Sequence, residues 1–508
     1  MAESQERNIT SGLSYQYMSS IAFVASGGVF YVFMAKFLQT SEVGEVSLVL
    51  AIASLLNIVF SFSLPTSAQH FISYYKGRGD ETEMRSLTKR FVLISLLLSA
   101  ASIAFTLVLA RPLAIVFFHN PAHAVLIEVG AALVTSMIMF GVLHGSALGL
   151  QLFRTDAIVY LSSGSLSYLV GLVFFSFFHG ISFLIVGLTL SYLWGSIIYA
   201  IIIFTRKPPT REKSRLTSLG QIFSYSWPLI LSSLIGYGSQ YLDRFVVAYF
   251  LDISTLGIYS FVLIVGSSLS FLANPIANIM IPKLSEFFSG GEISKMKKGL
   301  DLSSAVLTLI YSPLALGAAA IAPVVLSILA RTQYESGDAA LTILLGISSI
   351  FVLGNIVSSV VSAVRRTRVY ILSTAFTLAS NVALSFLLIP RYGMIGAAIA
   401  NSSVMVISFF VLYYYAIVKE IGSFDWASVL KIWSSSLLMF IVVSLERMFV
   451  GNGADMLPLF TVTGGLVYLV ALNLTRSLGR FNREEFLSYI PVRFRLRNVA
   501  SIFLGRAF

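Results

Sequence analysis

The chain has no cysteine, five histidines, and charge on only 11% of its 508 residues. Without cysteine there are no disulfides and no thiolate metal sites, and scattered histidines with no His-Glu-x-x-His spacing argue against a dedicated zinc site. No cofactor is expected. Residues 1–14 carry Glu3, Glu6 and Arg7 but no short apolar core with a cleavage site, so no removable signal peptide is expected.

Apolar sequence fills the rest. Hydrophobic residues make up 57% of the chain and the mean hydropathy is +0.86. That is more apolar surface than a soluble core can bury, and it marks an all-α polytopic membrane protein. Runs of membrane-crossing length fall at 15–38, 43–64, 91–110, 124–148, 157–178, 181–204, 226–250, 255–277, 302–329, 339–363, 369–389, 393–417, 426–446 and 456–475, about fourteen spans. The net charge of +11 is distributed as topology requires. With the N-terminus inside, every Lys and Arg except Lys36, Arg111, Arg244, Arg331, Arg391 and Arg447 falls in a cytoplasmic segment, so both termini are expected in the cytoplasm. The basic residues then meet anionic inner-leaflet lipid and not nucleic acid.

The chain repeats itself. Shifted by 213 positions, Phe-Leu-x-x-Ser-x-x-Gly-x-x-Ser at 37–47 falls on the same pattern at 250–260, and further identities include Ser19 on Ser232, Ala35 on Ala248 and Gly77 on Gly290. Nearly the same offset pairs Arg154-Thr155 with Arg366-Thr367 and His179-Gly180 with Tyr392-Gly393. Two related lobes follow, 1–205 and 221–420, joined by the linker 206–220 with Pro208-Pro209 and five basic residues. Because an even number of spans precedes the linker, the lobes are expected to be related by an axis along the membrane normal. Spans 13 and 14, within 421–476, lie outside the repeat. The tail 477–508 interleaves Arg with Phe, Leu and Ile and reads as a helix on the inner leaflet.

The most unusual stretch is Tyr225–Gly291, whose first span holds Asp243 and Arg244. A charged group in hydrocarbon costs several kcal/mol (about 3 on insertion scales) unless it is paired, snorkels or faces a wet cavity. Pro65 is expected to end or kink span 2. The mixed-charge segment Lys76–Arg90 reads as a solvated loop, mirrored by Lys283–Asp301. Asn274, Pro275 and Asn278 follow in span 8. No membrane acids stand out in the first half: Glu42 and Glu45 sit at a turn and Glu128 near the outer end of span 4.

With Leu-Ile-Pro-Arg-Tyr-Gly-Met-Ile-Gly-Ala-Ala-Ile-Ala at 388–400, the paired turns and Asp243 in view, the chain resembles the polysaccharide-transporter branch, with its O-antigen-type oligosaccharide flippases, of the multidrug/oligosaccharidyl-lipid/polysaccharide exporter superfamily. The resemblance covers about Leu13 to Ile490. It implies paired lobes of about six helices each that alternate between inward- and outward-open states and carry a polyprenyl-(di)phosphate-linked oligosaccharide to the outer leaflet of a prokaryotic cytoplasmic membrane. A site for that cargo wants cations for phosphate and amide or aromatic groups for sugar. On this reading Arg244, with Lys36 in the repeat-related span 1, contacts phosphate. Gln240, Tyr241 and Asn57 contact sugar, Asp243 balances Arg244 or carries a coupling H+ or Na+, and Arg154 and Arg366 receive phosphate at the cytoplasmic ends.

Each of these has a plainer reading. Arg244 and Lys36 can snorkel, Asp243 can bond a neighbouring helix, Asn57 can be interhelical glue, Arg154 and Arg366 can be topology anchors, and His70 and His144 can be ordinary interfacial residues. Competing functions are a multidrug/cation antiporter of the same superfamily, a lipid-linked peptidoglycan precursor flippase, and a membrane glycosyltransferase or polymerase. The last commonly needs an acidic metal motif or a large outer loop, and no Asp-x-Asp is present. No enzymatic activity is expected.

Overall fold

The computed structural model describes residues 22, 25–205, 217–364, 366, 368–422 and 424–479. The linker up to residue 216, the tail beyond 479, the start of span 1, Arg365, Thr367 and the side chains of Asn274, Pro275 and Asn278 lie outside the described residues. Among the described residues the secondary structure is helical, with no strand. Backbone groups in hydrocarbon must be satisfied within their own segment, which long apolar helices achieve. Nine helices among the described residues are long and apolar enough to cross a membrane, ten if one bent pair counts as a single span. The chain forms two compact units, Met1–Gly257 and Ile258–Phe508.

In the first unit, α1 (25–37) leads through a tight turn into α2 (Thr40–Ser61), where the Glu42 carboxylate accepts from the Gln39 N–H at 2.8 Å. Two left-handed residues, Phe62 and Ser63, end α2, and Pro65 sits in the first turn of α3 (Leu64–Gly77), where its missing N–H costs nothing. The segment expected as a solvated loop is mostly helix. Only residues 78–80 separate α3 from α4 (Glu81–Leu113), because Gly79 turns the chain at φ +70° and Asp80 caps α4 by accepting from the Glu83 N–H at 2.9 Å. Gly291 makes the same turn, φ +70°, between the helices that end at Ser289 and begin at Ile293 in the second unit.

A π turn at Ala114–Phe118 follows α4, and then α5 (Ala124–Gly149), which packs on α2, α3, α4 and, further along the chain, α8 (Ile181–Phe204). α5 lies so close to α3 that a Cβ on Gly145 would stand 2.1 Å from the Pro65 carbonyl oxygen. α6 (Phe153–Tyr160) passes through a second π turn, Leu161–Ser165, into α7 (Leu166–Phe178), which pairs with α8 (Ile181–Phe204). The unit then continues past the linker and takes in α9 (Leu219–Phe250), opened by a reciprocal cap between Ser218 and Gln221. α9 is held to α3 by Ser67 Oγ against Ser226 Oγ at 2.6 Å and by the stacked rings of His70 and Tyr225 at 4.4 Å.

The second unit begins within α10 (Ile253–Ser268). The expected span 255–277 is interrupted there by a tight turn, Leu269–Leu272, before α11 (Ala273–Ser289). Next come α12 (Ile293–Ala320), α13 (Ala322–Leu329), α14 (Asp338–Phe351) and α15 (Gly354–Ala363). The expected span 339–363 is bent by 41° between α14 and α15. α16 (Arg368–Tyr413) breaks at Gly393, φ +57° and ψ −133°, a geometry a side chain would resist, and the segment on either side is long enough, at about 1.5 Å per residue, to cross a bilayer. α17 (Trp426–Val450) and α18 (Leu457–Thr475), outside the repeat, pack on α12 around Leu316, Ile432, Met439, Phe460 and Leu472.

Candidate functional site

α9 places its distinctive residues by helical spacing. Tyr237, Tyr241 and Arg244 stand at i, i+4 and i+7, one face of a helix. The Tyr237 and Tyr241 rings are stacked at 4.5 Å and 16°, and the Arg244 guanidinium carbon lies 4.7 Å from the Tyr241 centroid. The Tyr237 hydroxyl donates to the Ala51 carbonyl of α2 at 2.5 Å, which anchors the stack to the neighbouring helix. Arg244 Nε is buried without a hydrogen-bond partner. A guanidinium held over aromatic faces keeps its charge while shedding part of its water, so the site favours an anion with donor-hungry oxygens. Asp243 is fully buried, and its Oδ1 accepts from the Arg244 backbone N–H at 3.0 Å.

The remaining residues singled out in the sequence are dispersed. Gln240 is exposed on α9 and Lys36 on the last turn of α1. Asn57 is half-buried on α2, with its Oδ1 buried and unpaired. Arg154 is exposed in the first turn of α6. Arg366, in the second unit, pairs with Glu420 at 2.5 Å. Of the expected substrate contacts, the structure therefore joins Tyr241 and Arg244 and adds Tyr237, which the i, i+4, i+7 spacing would have revealed.

A second arrangement in the first unit escaped the sequence entirely. Thr217, near the end of the linker, is gripped on three sides: its N–H donates to Glu83 Oε1 at 2.7 Å, its carbonyl accepts from Arg90 Nη1 at 2.8 Å, and its hydroxyl donates to Tyr75 Oη at 2.9 Å. Glu83 is fully buried. These partners lie more than a hundred residues from Thr217, and no local pattern announces them.

Long apolar helices in two units, with an arginine on an aromatic stack inside one of them, define a polytopic membrane protein. Two solved structures share the fold: the lipid II flippase MurJ (TM-score 0.70, 17% identity, 90% of this chain and 98% of that one) and an inward-facing multidrug resistance MATE family transporter of the MOP superfamily (TM-score 0.64, 15% identity, 79% and 96%). The chain belongs to the polysaccharide biosynthesis protein family, whose profile it matches over residues 9–288. Among its relatives is an uncharacterized membrane protein of Methanocaldococcus jannaschii, MJ1068, 23% identical over 490 residues, 90% of this chain and 91% of that protein. Another is the probable low-salt glycan biosynthesis flippase Agl15 of Haloferax volcanii, 21% identical over 290 residues, 55% of this chain and 60% of that protein.

Proposed function

We propose that this protein is a flippase that moves a polyprenyl-(di)phosphate-linked oligosaccharide from the cytoplasmic to the outer leaflet for assembly of cell-surface glycan. Family membership and the Agl15 likeness support that reading. The observation that carries it is the Arg244 guanidinium seated on the Tyr241–Tyr237 stack of α9. Phosphate oxygens suit a guanidinium, and sugar C–H faces suit aromatic rings. Asp243, buried beside it, balances the arginine when no cargo is bound. The protein acts as a carrier and makes or breaks no glycosidic bond. It sits in the cytoplasmic membrane of a prokaryote with both ends inside, a placement supported by the distribution of Lys and Arg.

The test is reconstitution in liposomes, following side by side the appearance of a fluorescent polyprenyl-diphosphate oligosaccharide on the opposite leaflet and the export of a cationic dye. Glycan movement without dye movement is expected. Dye movement alone would assign the chain to multidrug export.

A further inference from the structure

α5 carries a histidine paired with a carboxylate at each of its ends. At its start, His123 Nε2 faces Glu45 Oε1 of α2 at 3.4 Å. The other ring nitrogen, Nδ1, is buried and makes no hydrogen bond, and the Phe118 ring stacks on the imidazole at 5.2 Å. Glu42, one turn before Glu45, also acts on that carboxylate. Near the other end, His144 Nδ1 lies 2.8 Å from Asp156 Oδ1 of α6, and the Tyr199 hydroxyl of α8 donates to the same oxygen at 2.7 Å. Asp156 is 2% exposed, and the Tyr160 ring of α6 closes the site at 5.2 Å from the imidazole. The two histidines are 21 positions apart. Along a helix that is about 32 Å, close to the thickness of a bilayer's hydrocarbon core.

Each imidazole turns one ring nitrogen toward a carboxylate. Asp156 Oδ1 accepts from Tyr199, so the neutral ring keeps its proton on Nδ1 toward the carboxylate and leaves the Nε2 lone pair as the basic site. His123 is the mirror case, with Nε2–H toward Glu45 and the Nδ1 lone pair unused. Protonation in either place creates a cation against a carboxylate in a low-dielectric setting, where charge is felt strongly.

Both pairs also border backbone contacts with no slack. Glu45 follows Gly44, whose Cα faces the Ile253 carbonyl so closely that a Cβ would stand 1.9 Å away, and His144 precedes Gly145, set against the Pro65 carbonyl. Below Asp156 the span is loosened by the π turn Leu161–Ser165, an element that can change register.

We infer that His123–Glu45 and His144–Asp156–Tyr199 are two proton-binding sites, one near each membrane face, through which the protein responds separately to the pH on its two sides. Only the transport readout of this inference rests on the flippase reading.

The test uses full-length protein labelled with 15N-histidine in nanodiscs, its five histidine signals assigned with His123→Gln and His144→Gln. The His144 signal is expected to change its response to pH in Asp156→Asn, and the His123 signal in Glu45→Gln. Signals indifferent to those isosteric changes would overturn the sites. In liposomes carrying a fluorescent polyprenyl-diphosphate oligosaccharide, His144→Gln should erase the response to pH on one side only and His123→Gln the response on the other. Loss of both responses in either variant would overturn the separate roles. No oligosaccharide movement in the unsubstituted protein would count against the flippase reading and leave the titration result standing.

Discussion

Gly44 and Gly257 are stacked backbone to backbone. A Cβ on Gly44 would stand 1.9 Å from the Ile253 carbonyl oxygen, and a Cβ on Gly257 would stand 1.9 Å from the Thr40 carbonyl oxygen. Thr40 and Ile253, like Gly44 and Gly257, are 213 positions apart. The repeated Phe-Leu-x-x-Ser-x-x-Gly-x-x-Ser turns therefore meet through equivalent atoms, each copy offering a carbonyl to the glycine of the other.

This contact leaves no room for a methyl group. Gly44→Ala and Gly257→Ala should each destabilise the protein by about 1–3 kcal/mol through overpacking, and the double variant by less than the sum because one displacement relieves both clashes. Thermal unfolding in detergent checks this. Gly465→Ala on α18, where a Cβ meets nothing within 4 Å, is the control and should hold or gain stability.

Arg244→Ala should lower oligosaccharide movement in liposomes by about tenfold or more, equivalent to about 1.4 kcal/mol, while membrane abundance is kept. Arg244→Lys should recover only part of the activity, since an ammonium lacks the planar fork that stacks and binds phosphate. Equal loss of abundance and transport in Arg244→Ala would return the residue to a structural role.

Tyr241→Leu removes the ring beneath the guanidinium. A double-mutant cycle with Arg244→Ala, read on transport rates, should give a coupling of about 0.5–2 kcal/mol, the range of cation–π pairs from exposed to desolvated. Strict additivity would mean that the stack does not hold the arginine for its task.

Glu83→Ala leaves the Thr217 N–H without its acceptor in a buried setting. The loss should be about 1–3 kcal/mol. Hydrogen exchange at the Thr217 amide should quicken by about tenfold or more, whereas amides in the middle of α5 should keep their rates.

Much of the architecture could be read from the chain. Apolar runs of spanning length and the repeated turn depend on composition and on local periodicity, and these survive in a linear string. The broken elements were less legible: the apolar runs continue through the bend between α14 and α15 and through the interruption after Ser268, and α9 is too polar in its middle to register among the most apolar helices. At the site, Tyr241, Asp243 and Arg244 stood out because charge and aromatic hydroxyls are conspicuous in hydrocarbon. Tyr237 is marked only by its i, i+4, i+7 spacing with Tyr241 and Arg244.

The sequence by itself determined that this is a helical membrane protein, since the cost of placing apolar surface in water and charge in lipid acts residue by residue. Only the tertiary structure decided which distant groups meet. Thr217 with Glu83 and Arg90, His144 with Asp156 and Tyr199, and Gly44 with Ile253 are pairings set by how helices pack. A hydrogen bond or a close backbone contact depends on separations of a few tenths of an ångström between segments far apart in the chain, and local sequence carries no term for that distance.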